Sequence, residues 1–222
     1  MTNKRLLELF CGTKSVGKIF NENNYDVVSL DYNPKFNATH TVDILTWDYK
    51  QYPQDYFNVI WASPDCTTWS LATGGKYRTK TNIWGHNDEY QEKATLGNNM
   101  ILRLIEILQY FKCESWFIEN PRGLLQHFPP WVNYMKEVNG NKGLVYYGNY
   151  NWGFPKPTNI WSNKPMWNEK LPIMDESTYT VRFHKTNKAD KKFYHSFKRS
   201  AEERSKIPPD LINRLFLLVK LE

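Results

Sequence analysis

Two chemically reactive side chains each follow a strand-like run of the sequence. Cys66 comes just after "FNVIWAS", and Glu119 lies at the end of "SWFIEN". In a parallel α/β sheet the carboxyl ends of the strands share one edge, where ligands bind. We therefore expect the thiol and the carboxyl group to face one pocket. A thiolate that attacks C6 of a pyrimidine, and a carboxyl group that holds N3 and the exocyclic amine, would together activate C5 of that ring.

A second candidate site is the turn "FCGTKSVGKIF", which follows the first predicted strand, "RLLELF". The spacing of Gly12, Gly17 and Lys18 is close to that of a P-loop. Ile19, however, stands where a P-loop needs the Ser or Thr that binds magnesium. A cofactor-binding turn is the better interpretation, because Asp31 ends the second strand 19 residues after Gly12, where an acidic residue binds ribose hydroxyls. This pattern fits NAD, FAD and S-adenosylmethionine equally well.

Strand-like and helical runs alternate through the first half of the chain. Apolar spacing predicts helices over "SVGKIFNEN" and over residues 94–111, between the strands "RLLELF", "DVVSL", "FNVIWAS" and "SWFIEN". Such alternation indicates an α/β fold with a mixed, mostly parallel sheet. After about Asn139 the aromatic, Gly-rich and Pro-rich sequence predicts short strands and turns. The segment "IPPDLINRLFLLVKLE" predicts a final helix with prolines at its start.

Composition bounds the kind of protein. With 222 residues, 41% apolar and 16% aromatic, the chain can bury a full core as one domain with at most a small lobe. No apolar run is as long as a membrane span, and no signal peptide is readable. The three cysteines and five histidines have no spacing typical of disulfide frameworks or metal sites. We expect a cytoplasmic protein with no metal and no membrane partner.

The positive charge is concentrated near the carboxyl terminus. Residues 182–206 contain nine Lys or Arg and three Asp or Glu, a net charge of +6 that equals the charge of the whole chain. Aromatic and histidine residues are interspersed among these charges. Such a segment suits a polyanionic partner such as nucleic acid, although a solvated surface loop is an equally good interpretation of the charges alone.

Taken in order, these motifs resemble those of the C5-cytosine DNA methyltransferases, particularly the small versions found in phages and large viruses. The matching stretches are "LELFCGTKSVGKIF", "VDI", "SPDCTTWS", "ENP", "WGFPKPTNIWSN" and "RSKIPPDLINRL". The resemblance implies a Rossmann-like S-adenosylmethionine-dependent methyltransferase fold with a small basic carboxyl-terminal lobe. It also implies S-adenosylmethionine as cofactor, bound by Phe10, Gly12, Ser15, Val16, Asp31, Tyr32, Asp43 and Ile44.

The resemblance assigns the chemistry as well. Cys66 becomes the nucleophile that adds to C6 of a cytosine flipped out of the DNA stack, and Glu119 the carboxyl group that holds its ring. The loop 70–99 is expected to close over the flipped base. Residues expected to contact the substrate or the DNA are Asn120, Arg122, Lys156, Thr158, Lys76 and Arg78.

Three departures from the family pattern leave other functions open. Lys14 stands where the family usually has glycine, and Asp65 replaces the usual proline before the cysteine. The expected organisation is a catalytic domain over 1–163, a basic DNA-contacting segment over 164–206 and a closing helix over 207–222. That segment is too short for a large recognition lobe, so a second protein subunit could supply sequence recognition. The alternatives are a catalytically inactive methyltransferase-fold subunit or regulator, and an RNA cytosine-C5 methyltransferase.

Overall fold

The computed structural model describes residues 4–73, 75–86, 89–153, 155–171 and 201–220. Most of the predicted basic segment, residues 172–200, therefore lies outside the described residues. None of the helices in the described ranges combines the length and apolarity that a membrane span requires.

One seven-stranded sheet organises the described chain, in the order β3-β2-β1-β4-β5-β7-β6. The strands are β1 (Arg5–Leu9), β2 (Asp26–Asp31), β3 (His40–Thr41), β4 (Val59–Ala62), β5 (Ser115–Pro121), β6 (Asn141–Tyr146) and β7 (Pro157–Ser162). Strands β1 to β5 run parallel to one another, whereas β7 runs antiparallel to both β5 and β6. The predicted mixed, mostly parallel sheet is confirmed.

The described ranges contain five α-helices: α1 (Ser15–Glu22), α2 (Gln91–Tyr110), α3 (Pro129–Glu137), α4 (Ala201–Ser205) and α5 (Pro209–Lys220). Helix α2 begins three residues before its predicted start, because its first turn, "QEK", is entirely polar and exposed and so carries no periodic signal. The loop predicted over 70–99 accordingly ends at Tyr90. Helix α5 starts with a proline at its first position, as expected for a residue that has no N–H to leave unpaired.

Strand residues alternate between two cores, one on each face of the sheet. One core receives Leu7 of β1 together with side chains of α2 and α3. The other receives Leu6 of β1 with side chains of α1 and α5, and the rings of Phe20 and Phe216 meet edge to face at 4.9 Å between centroids. The carboxyl-terminal helix is thus part of the main core, and both faces of the central strands are buried.

Candidate active site

The carboxyl ends of β4 and β5 lie side by side. The two strands are paired in parallel, with Ala62 opposite Ile118, so the segments that follow them emerge at the same edge. The side-chain amide of Asn120 donates to the carbonyl oxygen of Pro64 at 3.0 Å and ties the two segments together. This pairing brings Cys66 and Glu119 to one edge of the sheet.

Cys66 opens a tight turn that presents its thiol. Its carbonyl oxygen accepts hydrogen bonds from the N–H groups of Trp69 and Ser70, at 3.0 and 2.9 Å. The exposed Asp65 carboxylate accepts from the backbone N–H and the hydroxyl of Thr67, at 2.9 and 2.6 Å. Asp65 therefore stabilises the turn that carries the cysteine.

The Cys66 thiol is protonated at neutral pH. Burial, the largest cause, and the nearby Glu119 carboxylate raise its pKa to about 11, whereas the Lys156 ammonium lowers it. Asp65 also raises the pKa, but less than either burial or Glu119 does. Asp65, where the chain departs from the family pattern, thus has only a minor effect on the pKa of the thiol. Glu119 and Lys156 have larger effects.

The Glu119 carboxyl group is held by two donors on the same oxygen. Its Oε1 accepts a hydrogen bond from the Tyr147 hydroxyl at 3.0 Å and lies 3.5 Å from the Lys156 ammonium. That ammonium also lies over the Tyr147 ring, 4.5 Å from its centroid. The Lys156 backbone is left-handed, with φ of 28°, and its carbonyl oxygen accepts from the Thr158 hydroxyl at 3.0 Å.

The turn after β1 forms a second feature of the same edge. Gly12 has a φ of 46°, and a Cβ added there would meet nothing within 4 Å, so open space lies over this point of the backbone. Its N–H donates to Asp31 Oδ2 at 2.9 Å, and Asp31 Oδ1 accepts from the N–H of Asn33 at 2.9 Å. Next to this carboxylate the Tyr32 ring is 73% exposed.

Glu8 lies buried beneath this turn. It is 2% exposed, and its Oε1 accepts from the N–H of Val16 at 3.2 Å, at the start of α1. Its Oε2 is buried and has no hydrogen-bond partner among the described residues. Burial outweighs the backbone N–H groups of Gly17 and Val16 and raises the pKa of Glu8 to about 7. The carboxyl group is therefore poised to titrate near neutral pH.

With this geometry in view, comparisons with known proteins assign the fold. No protein-family profile matches the chain. A probable DNA (cytosine-5)-methyltransferase of Frog virus 3 (isolate Goorha) is 28% identical over an alignment of 169 residues, and the match covers 72% of this chain and 70% of the relative. The resemblance to the C5-cytosine methyltransferases is confirmed.

Three solved structures share the fold, each with a TM-score of 0.52. EhMeth of Entamoeba histolytica is 14% identical, and the match covers 73% of this chain. DNMT2 of Spodoptera frugiperda is 16% identical, with a match over 77% of this chain. Dnmt2 of S. pombe is 17% identical, with a match over 88% of this chain. The match covers 53%, 56% and 68% of those chains, so this chain spans about half the length of the first two. The predicted Rossmann-like S-adenosylmethionine-dependent methyltransferase fold is confirmed.

Three residues expected to touch substrate or DNA have other roles in this methyltransferase fold. Asn120 and Thr158 are fully buried, and their hydrogen bonds hold Pro64 and Lys156 in place. Arg78 is 1% exposed. Each of these three side chains is enclosed by protein and has a hydrogen-bond partner there, and its contact with substrate or DNA stays a prediction.

Arg78 anchors the loop between β4 and α2. Its guanidinium donates to the carbonyl oxygens of Ile83 and Ala94, at 3.0 and 2.9 Å, and to the side chains of Asn98 and Thr68, at 2.6 and 2.9 Å. It also stacks over Trp69, 3.5 Å from the ring centroid. The pKa of Arg78 is lowered by burial only to about 10, so the side chain is a buried cation at neutral pH.

The remaining predicted contacts stay predictions. Lys76 and Arg122 are exposed, and the Lys76 ammonium lies over the Tyr90 ring, 4.3 Å from its centroid. On the cofactor side, the side chains of Val16 and Ile44 pack within the two cores.

Three further residues with predicted cofactor contacts lie in or near loops. Phe10 has a left-handed backbone, with φ of 55°. Ser15 Oγ and Thr13 Oγ1 are 2.8 Å apart, and the exposed Asp43 caps the turn after β3 by accepting from the N–H of Leu45 at 2.9 Å.

Tyr147 contacts both Glu119 and Lys156, but the sequence does not single it out. It lies in "GLVYYGNYNWGF", where aromatic side chains are so frequent that no single one stands out. Its only signal is its position directly after β6. Strand β6 is the edge strand of the sheet and pairs with β7, the strand that directly follows Lys156. The burial of Glu8 is equally hard to predict, because a glutamate within "RLLELF" gives no sign that both faces of its strand are covered.

Proposed function

We propose that this chain transfers a methyl group from S-adenosylmethionine to C5 of cytosine in DNA, through a covalent bond between Cys66 and C6. The observation that supports this most is the meeting of a cysteine thiol, a carboxyl group and an ammonium group at the carboxyl ends of β4 and β5 and the amino end of β7. The similarity to the Frog virus 3 protein, named as a probable DNA (cytosine-5)-methyltransferase, points to the same reaction.

The turn after β1 has the features that the cofactor requires. The open space over Gly12 admits a ligand close to the backbone, and Asp31 retains lone pairs that can accept from ribose hydroxyls. The exposed Tyr32 ring offers a face on which adenine can stack. When bound, S-adenosylmethionine supplies an electrophilic methyl group. The fit of these three residues supports the cofactor assignment.

The chain's own residues then divide the work on the base. The Cys66 thiol loses its proton to solvent water and the resulting thiolate forms a bond to C6, while the Glu119 carboxyl group, after taking up a proton from solvent, donates that proton to N3 and so draws electrons toward that side of the ring. C5 becomes nucleophilic and accepts the methyl group. Transfer of the C5 proton to solvent water, return of the N3 proton to Glu119 and cleavage of the bond between sulfur and C6 restore the aromatic ring and release Cys66 as a thiolate.

Lys156 is well placed to support this cycle. Its ammonium is the cation that lowers the pKa of Cys66, and it simultaneously lies 3.5 Å from Glu119. When Glu119 shares a proton with the base and loses negative charge, the ammonium is left to stabilise the thiolate alone. Binding of cytosine would thereby favour ionisation of a thiol that is otherwise neutral.

The test is transfer of tritium from labelled S-adenosylmethionine to duplex DNA, with tRNA offered in parallel. We expect the protein to label DNA and the Cys66→Ser variant to leave it unlabelled. DNA that carries 5-methylcytosine in place of cytosine should also stay unlabelled. Label in tRNA alone would replace the proposal with an RNA cytosine methyltransferase. Binding of cofactor or DNA without transfer would indicate an inactive subunit or regulator.

A further inference from the structure

The Tyr147 side chain joins the two charged groups that control the Cys66 thiol. Its hydroxyl donates to Glu119 Oε1 at 3.0 Å, and its ring face lies beneath the Lys156 ammonium at 4.5 Å. The side chain is 0% exposed. One rigid, fully enclosed aromatic residue thus touches both partners of the ion pair, through two different parts of its structure.

We infer that Tyr147 is a positioning residue that fixes the Glu119 carboxyl group and the Lys156 ammonium together beside the Cys66 thiol. This inference rests on the proposed function for its catalytic consequence. Its effect on the thiol concerns the protein without substrate and can be measured separately.

The hydroxyl is a permanent donor. Burial raises the pKa of Tyr147 well above its ordinary value, and the negative charge of Glu119 raises it further. The phenol therefore keeps its proton throughout the useful pH range and always donates to Oε1. Tyr147 and Lys156 therefore both hold the carboxyl group at Oε1.

The ring serves the ammonium in the same way. A cation held over an aromatic face is attracted by the ring's negative potential, most strongly where water is excluded. The unusual backbone of Lys156 and its hydrogen bond from Thr158 aim the side chain into this position. Lys156 is therefore held in contact with both Tyr147 and Glu119, where its positive charge lowers the pKa of the Cys66 thiol.

Loss of the hydroxyl has a definite consequence for Cys66. Without this donor, the Glu119 carboxylate is less neutralised and draws Lys156 more strongly to itself. Both changes disfavour a thiolate nearby. In Tyr147→Phe, which retains the ring, we expect alkylation of Cys66 by iodoacetamide at pH 8.5 to slow by about three- to tenfold. Peptide mapping by mass spectrometry separates Cys66 from Cys11 and Cys113.

Tyr150→Phe is the matched control. Tyr150 lies one turn away in the same short 3₁₀ helix, Tyr147–Tyr150, is also buried, and also bonds a carboxylate through its hydroxyl. That carboxylate is Glu169, which lies in another cluster with Arg214. Alkylation of Cys66 should be unchanged in this variant, even where the melting temperature falls as much as in Tyr147→Phe.

If methyl transfer is detected, Tyr147→Phe should also lower kcat by about tenfold with KM within about twofold, because the lost hydrogen bond supports the transition state more than substrate binding. Unchanged alkylation of Cys66 in Tyr147→Phe would overturn the inference, as would equal slowing in both tyrosine variants. Absence of methyl transfer in the unmodified protein contradicts the proposed function instead, and leaves the alkylation result to decide the role of Tyr147.

Discussion

Replacing Glu119 with glutamine is expected to raise the reactivity of the Cys66 thiol and to lower the rate of methyl transfer. The substitution preserves size and removes the negative charge that is, after burial, the largest cause of the raised thiol pKa. It also releases Lys156 from an ion pair of 3.5 Å. The thiol should therefore become more reactive in the free protein, while methyl transfer is lost because the ring of the base is no longer protonated at N3.

The magnitude follows from the charges involved. Removing one like charge next to a buried thiol changes its ionisation by on the order of 1.4 kcal/mol, which is a tenfold change in the thiolate fraction. With a pKa of about 11, the parent thiol is ionised at pH 8 in about one molecule per thousand. Glu119→Gln should thus speed alkylation of Cys66 about tenfold at pH 8, and lower the rate of methyl transfer by about 10²- to 10⁴-fold.

Lys156→Met provides the opposing variant, because it removes the cation that favours the thiolate. Alkylation of Cys66 should slow in this variant and quicken in Glu119→Gln, under identical conditions of pH and salt. Both rates are obtained by quenching at timed intervals and quantifying the modified peptide. If Glu119→Gln leaves the rate unchanged or slows it, the two charges do not act on this sulfur and the electrostatic reasoning fails.

Three other substitutions test the surrounding structure. Arg78→Met should lower the free energy of unfolding by about 3–5 kcal/mol in chemical denaturation, because it leaves buried acceptors unpaired. Lys76→Met, at an exposed position, should lower it by less than about 0.5 kcal/mol. Similar losses in the two variants would contradict the burial of Arg78. Glu8 has a folded pKa of about 7 against 4.5 when unperturbed, so its ionisation costs stability as pH rises through this window. Glu8→Gln should therefore gain about 3 kcal/mol relative to the parent between pH 4.5 and 8, and a constant difference across this range would refute the assignment. Asp31→Asn should weaken S-adenosylmethionine binding about tenfold in calorimetric titration, whereas unchanged affinity would remove Asp31 from the cofactor site.

Much of the fold is predictable from the sequence, because its strands are short apolar runs separated by helical periodicity. The parallel strands β1, β2, β4 and β5 are mostly apolar, which matches burial on both faces, although Glu8 and Ser29 interrupt the apolar runs of β1 and β2. The boundary of α2 is less visible, since its polar first turn resembles the preceding loop. The antiparallel placement of β7 between β5 and β6 could not be predicted, because pairing depends on contacts between segments that are far apart in sequence.

The outline of the site is predictable from the sequence, whereas the burial of several of its polar residues is not. Cys66 and Glu119 follow from the rule that strand carboxyl ends share one edge. Whether a polar side chain points outward or is enclosed depends on its neighbours in space, so the burial of Asn120, Thr158 and Arg78 cannot be predicted from the sequence. Tyr147 was missed for the same reason, because its role depends on which side chains surround its hydroxyl.

The central claim is that the sulfur of Cys66 bonds to a cytosine ring, and a trapped adduct tests it most directly. Duplex DNA that contains 5-fluorocytosine should form a covalent complex with the protein in the presence of S-adenosylmethionine, because fluorine at C5 cannot leave as a proton does. We predict that mass spectrometry will locate the modified base on the peptide containing Cys66, and that Cys66→Ser will form no complex. A complex through another residue, or none while methyl transfer proceeds, would contradict the account.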